Sequence, residues 1–371
     1  MKSTRAIRII TSLSVGVVFI SAATWVALGQ VSGQISRINV FGNLDDRPEK
    51  TSSALNYLVV GSDNREGLTK EQIQKLRVGG TDVAAGGRSD TMLLVHISKA
   101  RDSAYIVSLP RDTLVTIPEH VSSIDGKTIV SARPGKLNSA FAFGGAPLLI
   151  ETIEGATNLK IDHYVEVSFA GFVGVVDALG GIEVCSKVDI NDPKSHLVMS
   201  AGVHVLDGIE ALKYVRTRDY DGRGDIGRME RQQQFVSAVL RKATSSGTLL
   251  NPIKLANFYQ ATISTVKMDE AVTKDDLLTL GKQMRNLSSG NVRTLTVPLS
   301  NPNGRVEGLG SVVIWDEELA ADLWLRIKND DALVDIIPPK KSSASPSPSA
   351  SPSTVDKFKT HTAADNPCAS K

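Results

Sequence analysis

The densest chemistry in the chain lies between Tyr214 and Gln234, YVRTRDYDGRGDIGRMERQQQ, which holds Arg216, Arg218, Arg223, Arg228 and Arg231 with Asp219, Asp221 and Asp225. Guanidinium is a planar, permanently charged fork that matches two oxygens of a phosphate or carboxylate. If a helix begins after Gly227, Arg228, Arg231 and Gln232 fall at i, i+3 and i+4 in its first turn. There they would share one face, beside free backbone N–H groups that favour an anion. Two readings stay open on these residues alone: a polyanion site, with phosphate as ligand, or a solvated charged loop whose Asp and Arg residues pair with one another.

Three further pairs sit beside apolar, β-prone runs. LNYLVVGSDNR places Asp63 and Arg65 after one run, GRSDTMLLVHI places Arg88 and Asp90 before a second, and AYIVSLPRDT places Arg111 and Asp112 after a third. Single surface ion pairs contribute little, but three pairs at strand ends fit convergence on one site, where α/β sheets bind ligands. Two carboxylates near phosphate also suit Mg²⁺, a hard cation that prefers oxygen and keeps part of its water. Lys136 and Asn138 open a helical stretch that breaks at Gly144-Gly145, and could cap it or face the same anion. Phe169, Phe172, Val173 and Val176 share one helical face, either as core packing or as the wall of a tunnel for a long hydrocarbon. His163 reads as structural, since no Cys or His cluster surrounds it. There is no G-x-x-x-x-G-K-[ST] phosphate loop, no G-x-S-x-G nucleophile elbow and no zinc-ligand spacing.

The 371 residues carry a net charge of +2, so the basic groups act locally and wholesale nucleic-acid binding is not supported. Lys2, Arg5 and Arg8 precede an apolar run over 9–28, and roughly 20 such residues span the ~30 Å hydrocarbon layer. The reading is a cytoplasmic N-terminus over 1–8, a retained transmembrane helix over 9–28 with a cleaved signal peptide as its rival, and an exported remainder. Residues 29–53 read as a polar stalk, 54–338 as the catalytic domain and 339–371, beginning with a Ser/Pro spacer, as a disordered tail. In an oxidising compartment Cys185 and Cys368 could pair and tie the tail to the domain.

Taken together and in order, NYLVVGSDNR, GRSDTMLLVHI, IVSLPRDT, KLNSAFAFGG, IDHYVEVSFAGFVGVVDALGGIEV, LDGIEALKYVRTR and DIGRMERQQQF resemble the LytR-CpsA-Psr family of cell-wall ligases. The resemblance covers roughly residues 54 to 245, and the tail looks actinobacterial. It implies an α/β fold, αβα around a central mixed sheet. It implies a phosphotransferase that moves a glycopolymer from a polyprenyl-pyrophosphate carrier in the membrane to peptidoglycan through a phosphodiester. The rival activities are a polyprenyl-pyrophosphate pyrophosphatase and a non-catalytic lipid-phosphate-binding regulator of the wall. By motif match, Asp63 becomes a base or metal ligand and Asp90 a Mg²⁺ ligand. Arg65, Arg88, Arg111, Arg216, Arg218, Arg228, Arg231 and Gln232 go to the pyrophosphate, with Arg216 and Arg218 catalytic. Asp225 joins Lys136 and Asn138 as further polar residues of the site, and the helix around Phe169 becomes part of a lipid pocket.

Overall fold

Short apolar runs with alternating burial build the centre of this protein, seen here in a computed structural model that describes residues 36–42, 44–78, 89–218, 220–245, 266–273, 276, 279, 287–337, 353–365 and 368. The eight strands of the central sheet are β1 (Ser36–Ile38), β2 (Leu55–Ser62), β3 (Ser89–Ile97), β4 (Ala104–Leu109), β5 (His163–Val167), β6 (Val266–Asp269), β7 (Val292–Thr296) and β8 (His361–Thr362). Their spatial order is β1-β6-β5-β2-β3-β4-β7-β8. The pairs β1/β6, β5/β2 and β4/β7 are parallel and the rest antiparallel, so the sheet is mixed as expected.

Because side chains alternate across a strand, the sheet has two distinct faces. Leu58, Val60, Leu94 and Val107 pack with helix Leu137–Thr157, which bends at Gly145 (φ 64°), and with helix Glu317–Asn329. Val59, Leu93, Val95 and Ile106 face the opposite way, onto Val236 and Leu240 of helix Gly224–Ser245. The arrangement is thus αβα. A second core lies beyond that last helix. There Phe235 and Ala238 pack with helix Phe169–Ala178, helix Gly208–Arg216 and the hairpin of Ile182–Ser186 with Gly202–Leu206. The two helices of this core meet backbone to backbone at Gly208, where a Cβ would lie 2.6 Å from the Val173 carbonyl oxygen. Gly208→Ala should therefore cost about 1–3 kcal/mol through overpacking, measured as a shift of the urea midpoint.

Both ends of the chain depart from the sequence reading. The stalk expected over 29–53 is folded onto the domain from Ser36 onward: β1 joins the sheet, Val40 is buried in the main core, and Arg47 clamps Glu154 through both carboxylate oxygens. The tail expected to be disordered over 339–371 is ordered at 353–365. Ser353–Val355 pairs with Asp335–Ile337, β8 extends the sheet, and Phe358 and Ala363 are buried. A disulfide joins Cys185 to Cys368, with Cα atoms 5.9 Å apart. Among the described residues no helix is long and apolar enough to cross a membrane; the apolar run over 9–28 lies outside them.

Candidate functional site

Register brings the charged strand ends together. Val60 pairs with Met92, Met92 with Leu109, and Ser108 with Thr296. The residues just past β2 (Asp63), at the start of β3 (Ser89 and Asp90) and just past β4 (Arg111 and Asp112) therefore share one edge of the sheet. Asp90 is the extra residue of a bulge, since Gly61 pairs with Thr91 and Ser62 with Ser89; bulges of this kind recur beside active sites. Helix Gly224–Ser245 is pinned across the same edge by Gln233, whose Nε2 donates to Ser108 Oγ (3.0 Å) and Thr296 Oγ1 (2.8 Å).

The centre of the cluster is Asp225. Its carboxylate lies 3.5 Å from Arg111 Nε, 3.4 Å from Arg218 Nε and 3.5 Å from Arg228 Nη2. Charge-assisted hydrogen bonds are usually about 2.7–2.9 Å, so this half-exposed carboxylate gathers three guanidiniums without binding any tightly. Asp112 pairs with Arg111 (3.2 Å) and Lys136 (3.3 Å). In the described ion pairs of this cluster, Arg111, Lys136, Arg218 and Arg228 meet the carboxylates of Asp112 and Asp225. A cavity of about 250 Å³ beside this cluster is lined by Arg111, Asp112, Asp225, Arg228 and Gln232. Arg228 is 3 % exposed, and its Nε has no hydrogen-bond partner among the described residues.

A second group adjoins the first. The backbone carbonyl of Asn64, between Asp63 and Arg65, accepts from the Phe169 amide (3.2 Å), and the Arg216 guanidinium stands 5.2 Å from the centre of the Phe169 ring. Arg216 closes helix Gly208–Arg216 and Arg218 follows two residues later, so this short segment links the two groups. Gln232 borders the cavity and donates to the Val215 carbonyl (3.2 Å). Asn138 enters through its backbone, its amide donating to the Arg111 carbonyl (2.9 Å). Arg88 and the Asp90 side chain lie outside the described residues.

Several residues sit differently from their sequence assignment. The helix starts at Gly224 after a turn through Gly222 (φ 71°), so Asp225 occupies the first turn and Gly227 is inside the helix. Arg231 is drawn away from the cavity by the preceding loop: it donates to Asp221 and Tyr220 (each 3.1 Å) and to the Thr217 carbonyl. Partial burial raises the pKa of Asp221, but hydrogen bonds from Arg223 and the nearby Arg231 charge outweigh it and hold the carboxyl below its ordinary value. The stability this gives the loop is present above the ordinary Asp range and is lost as pH falls through the lowered value. Val173 and Val176 are buried in the second core rather than lining the cavity, and Phe172 stacks on Phe235 (5.2 Å between ring centres).

Gln233 and Asp192 are important here and were not singled out by sequence. Gln233 interrupts an apolar helical stripe with Met229, Val236 and Leu240, and a lone polar residue on such a stripe is the signal that marks it. Asp192, 1 % exposed, accepts from the amides of Lys194 (2.7 Å), Ser195 (3.0 Å) and Arg218. Nothing in the local pattern reveals that long-range contact. Asp192→Asn should cost about 1.5–3 kcal/mol of stability, the worth of a charged hydrogen bond. It should also weaken inorganic pyrophosphate binding by releasing Arg218; urea unfolding and calorimetry measure the two effects.

The LytR_cpsA_psr family model matches residues 29–329. The "Probable cell wall biosynthesis protein LcpB" of Corynebacterium glutamicum is 38% identical over 273 residues, covering 74% of this chain and 61% of that protein. The "Cell wall biosynthesis protein LcpA" of the same organism is 31% identical over 329 residues, covering 83% and 62%. The chain thus spans about six tenths of the length of these curated relatives. A solved "LytR-Csp2A-Psr enzyme from Actinomyces oris" superposes with a TM-score of 0.58 at 22% identity, covering 80% of this chain and 96% of that one. "TagT bound to LI-WTA" gives 0.55 at 22%, covering 79% and 99%. At these identities the structural likeness speaks for the fold.

Proposed function

This chain belongs to the LytR_cpsA_psr family, and from that membership and the geometry of its cavity we propose that it is a glycopolymer–peptidoglycan phosphotransferase. The observation that carries the reading is the gathering of Arg111, Arg218 and Arg228 around Asp225 at the sheet edge. A diphosphate esterified at both ends bears two negative charges, which guanidiniums gathered at one edge would neutralise. The donor is a glycopolymer on a polyprenyl-pyrophosphate carrier and the acceptor a muramic acid hydroxyl of peptidoglycan. The acceptor oxygen attacks the phosphorus that bears the polymer, the bridging P–O bond breaks, and polyprenyl phosphate leaves. The product is a phosphodiester. Such reactions are catalysed mainly by positioning and charge stabilisation, the service that convergent guanidiniums supply. Asp63, past the end of β2, is the candidate base for the hydroxyl proton.

The cofactor we propose for this edge is Mg²⁺. Asp63 follows β2 and Asp90 lies in β3, which pairs with it, and two carboxylates beside a phosphate are what a strongly hydrated hard cation takes. Those two residues would hold it, and it would supply further neutralisation of phosphate charge. The setting is a single-pass membrane protein with its domain outside the cytoplasm, in contact with the lipid that carries its donor. A purified chain given polyprenyl-pyrophosphate-linked glycan and peptidoglycan fragments should form a polymer–peptidoglycan adduct detectable by mass spectrometry. Free polymer phosphate in its place would indicate a pyrophosphatase, and no turnover would favour a binding protein.

A further inference from the structure

The cavity has a second side that phosphate binding leaves unused. β7 runs through Val297 and Pro298 into a hairpin, Leu299–Val306 with Gly310–Trp315. Leu299, Pro302, Asn303 and Val313 of this hairpin line the cavity that Arg111 and Arg228 also line. The hairpin and the arginine-bearing helix reach it from different layers. Leu299 and Trp315 pack against the first core, while Val236 and Leu240 of the helix cover the other face of the sheet.

The hairpin is fastened to the strand end that carries the phosphate ligands. The Val313 amide donates to the Asp112 carbonyl (2.9 Å), and Trp315 Nε1 donates to Thr113 Oγ1 (3.2 Å). Its first strand holds two extra residues. Leu299 faces Trp315 and Gly304 faces Val312, five steps against three, with a break in register on either side of Asn301. Bulges of this kind re-aim side chains beside active sites, and they tolerate a proline, which cannot donate to a ladder. Asn301 holds the bulge from within, its Oδ1 accepting from the Asn303 amide (3.0 Å). Gly304 closes it, since a Cβ there would lie 2.9 Å from Ile314 Cδ1. Asn303 is left exposed at the rim of the cavity.

None of the four lining residues from the hairpin is ionisable. Three are apolar, and the Asn303 carboxamide brings two N–H donors and one carbonyl acceptor. An apolar wall with one placed polar group orients an uncharged polar ligand, whereas the phosphates are drawn to the guanidiniums. We propose that the bulge Asn301–Gly304 is a saccharide subsite, in which Asn303 hydrogen-bonds and Pro302 packs against the sugar ring next to the reacting phosphate. The inference rests on the phosphotransferase reading and adds to it the place of a sugar. Hydroxyl and acetamido groups of this kind are carried both by the first sugar of a donor and by the peptidoglycan acceptor.

Three probes bound to the full chain separate these sources: inorganic pyrophosphate, a short-chain prenyl-pyrophosphate-linked N-acetylglucosamine, and the N-acetylglucosaminyl–N-acetylmuramic acid disaccharide. Calorimetry measures the first two and saturation-transfer NMR titration the third. Asn303→Ala should leave the Kd for pyrophosphate within about twofold and weaken at least one sugar probe by about 3–10-fold, the worth of a neutral hydrogen bond. Asn303→Gln should recover part of that loss. A loss confined to the prenyl-linked sugar assigns the subsite to the donor, and a loss confined to the disaccharide assigns it to the acceptor. Unchanged affinity for both sugar probes, a parallel loss of pyrophosphate binding, or no binding of either sugar probe to the unsubstituted chain would each overturn the proposal. Sugar binding that depends on Asn303 in a chain that transfers no polymer removes the enzymatic reading only. Polymer transfer with sugar affinities indifferent to Asn303 removes the subsite only.

Discussion

Arg228→Ala should lower kcat/KM for polymer transfer by about 10²–10³-fold, the loss found when one preorganised donor is removed from a developing charge. The site explains why so much would ride on one side chain. Arg228 is almost fully buried, borders the cavity, and reaches Asp225 only at 3.5 Å. A guanidinium desolvated in this way has already lost its water, so an arriving phosphate need not displace any. Arg228→Lys should recover only part of the activity, because an ammonium is a point charge without the planar fork. Arg231→Ala is the informative contrast. Arg231 is equally buried but is committed to Asp221, Tyr220 and Thr217, so its loss should appear first as lowered thermal stability. Single-turnover transfer rates and thermal unfolding, measured on both variants, separate the two roles. Comparable losses of activity at unchanged stability would place Arg231 in the site.

The contrast also marks where sequence reasoning stopped. Charged residues beside β2, β3 and β4 were legible, since a short apolar run followed by Asp and Arg reads as a strand end. The order of the strands was not, because it comes from long-range pairing. In the arginine-rich stretch the residue types were legible and the helix start was not. A start at Gly224 gives the first turn to Asp225, and Arg231 is held by Asp221, Tyr220 and Thr217 of the loop, contacts that spacing does not show. Phe169, Phe172, Val173 and Val176 show the same limit: their common face was readable, but only tertiary packing shows the two valines closed into a core. At the C-terminus the Ser/Pro spacer suggested disorder for everything after it. The later segment folds because Phe358 and Ala363 find buried positions and β8 finds an open strand edge, partners that composition cannot reveal.

That segment is the subject of the second large effect. Cys185→Ala and Cys368→Ala should each lower stability by about 2–5 kcal/mol, the usual cost of losing a native disulfide. The bond closes 183 residues of sequence separation, and long closed loops restrict the unfolded chain most. Its position adds a native-state consequence. The strap leaves the sheet at β8, passes Arg241, whose Nη1 donates to the carbonyls of Ala363 (2.6 Å) and Asp365 (3.1 Å), and ends on the hairpin at Cys185. It therefore crosses the helix that carries Asp225 and Arg228, tying the sheet on one side of that helix to the second core on the other. The two single variants and the double should be equally destabilised, because all three lack the same bond. Truncation after residue 352 should cost more than any of them, because it also removes β8 and the buried Phe358. Denaturant unfolding of the four variants under oxidising conditions measures the series. If the truncated chain is no less stable than Cys368→Ala, the ordered segment contributes nothing beyond its crosslink.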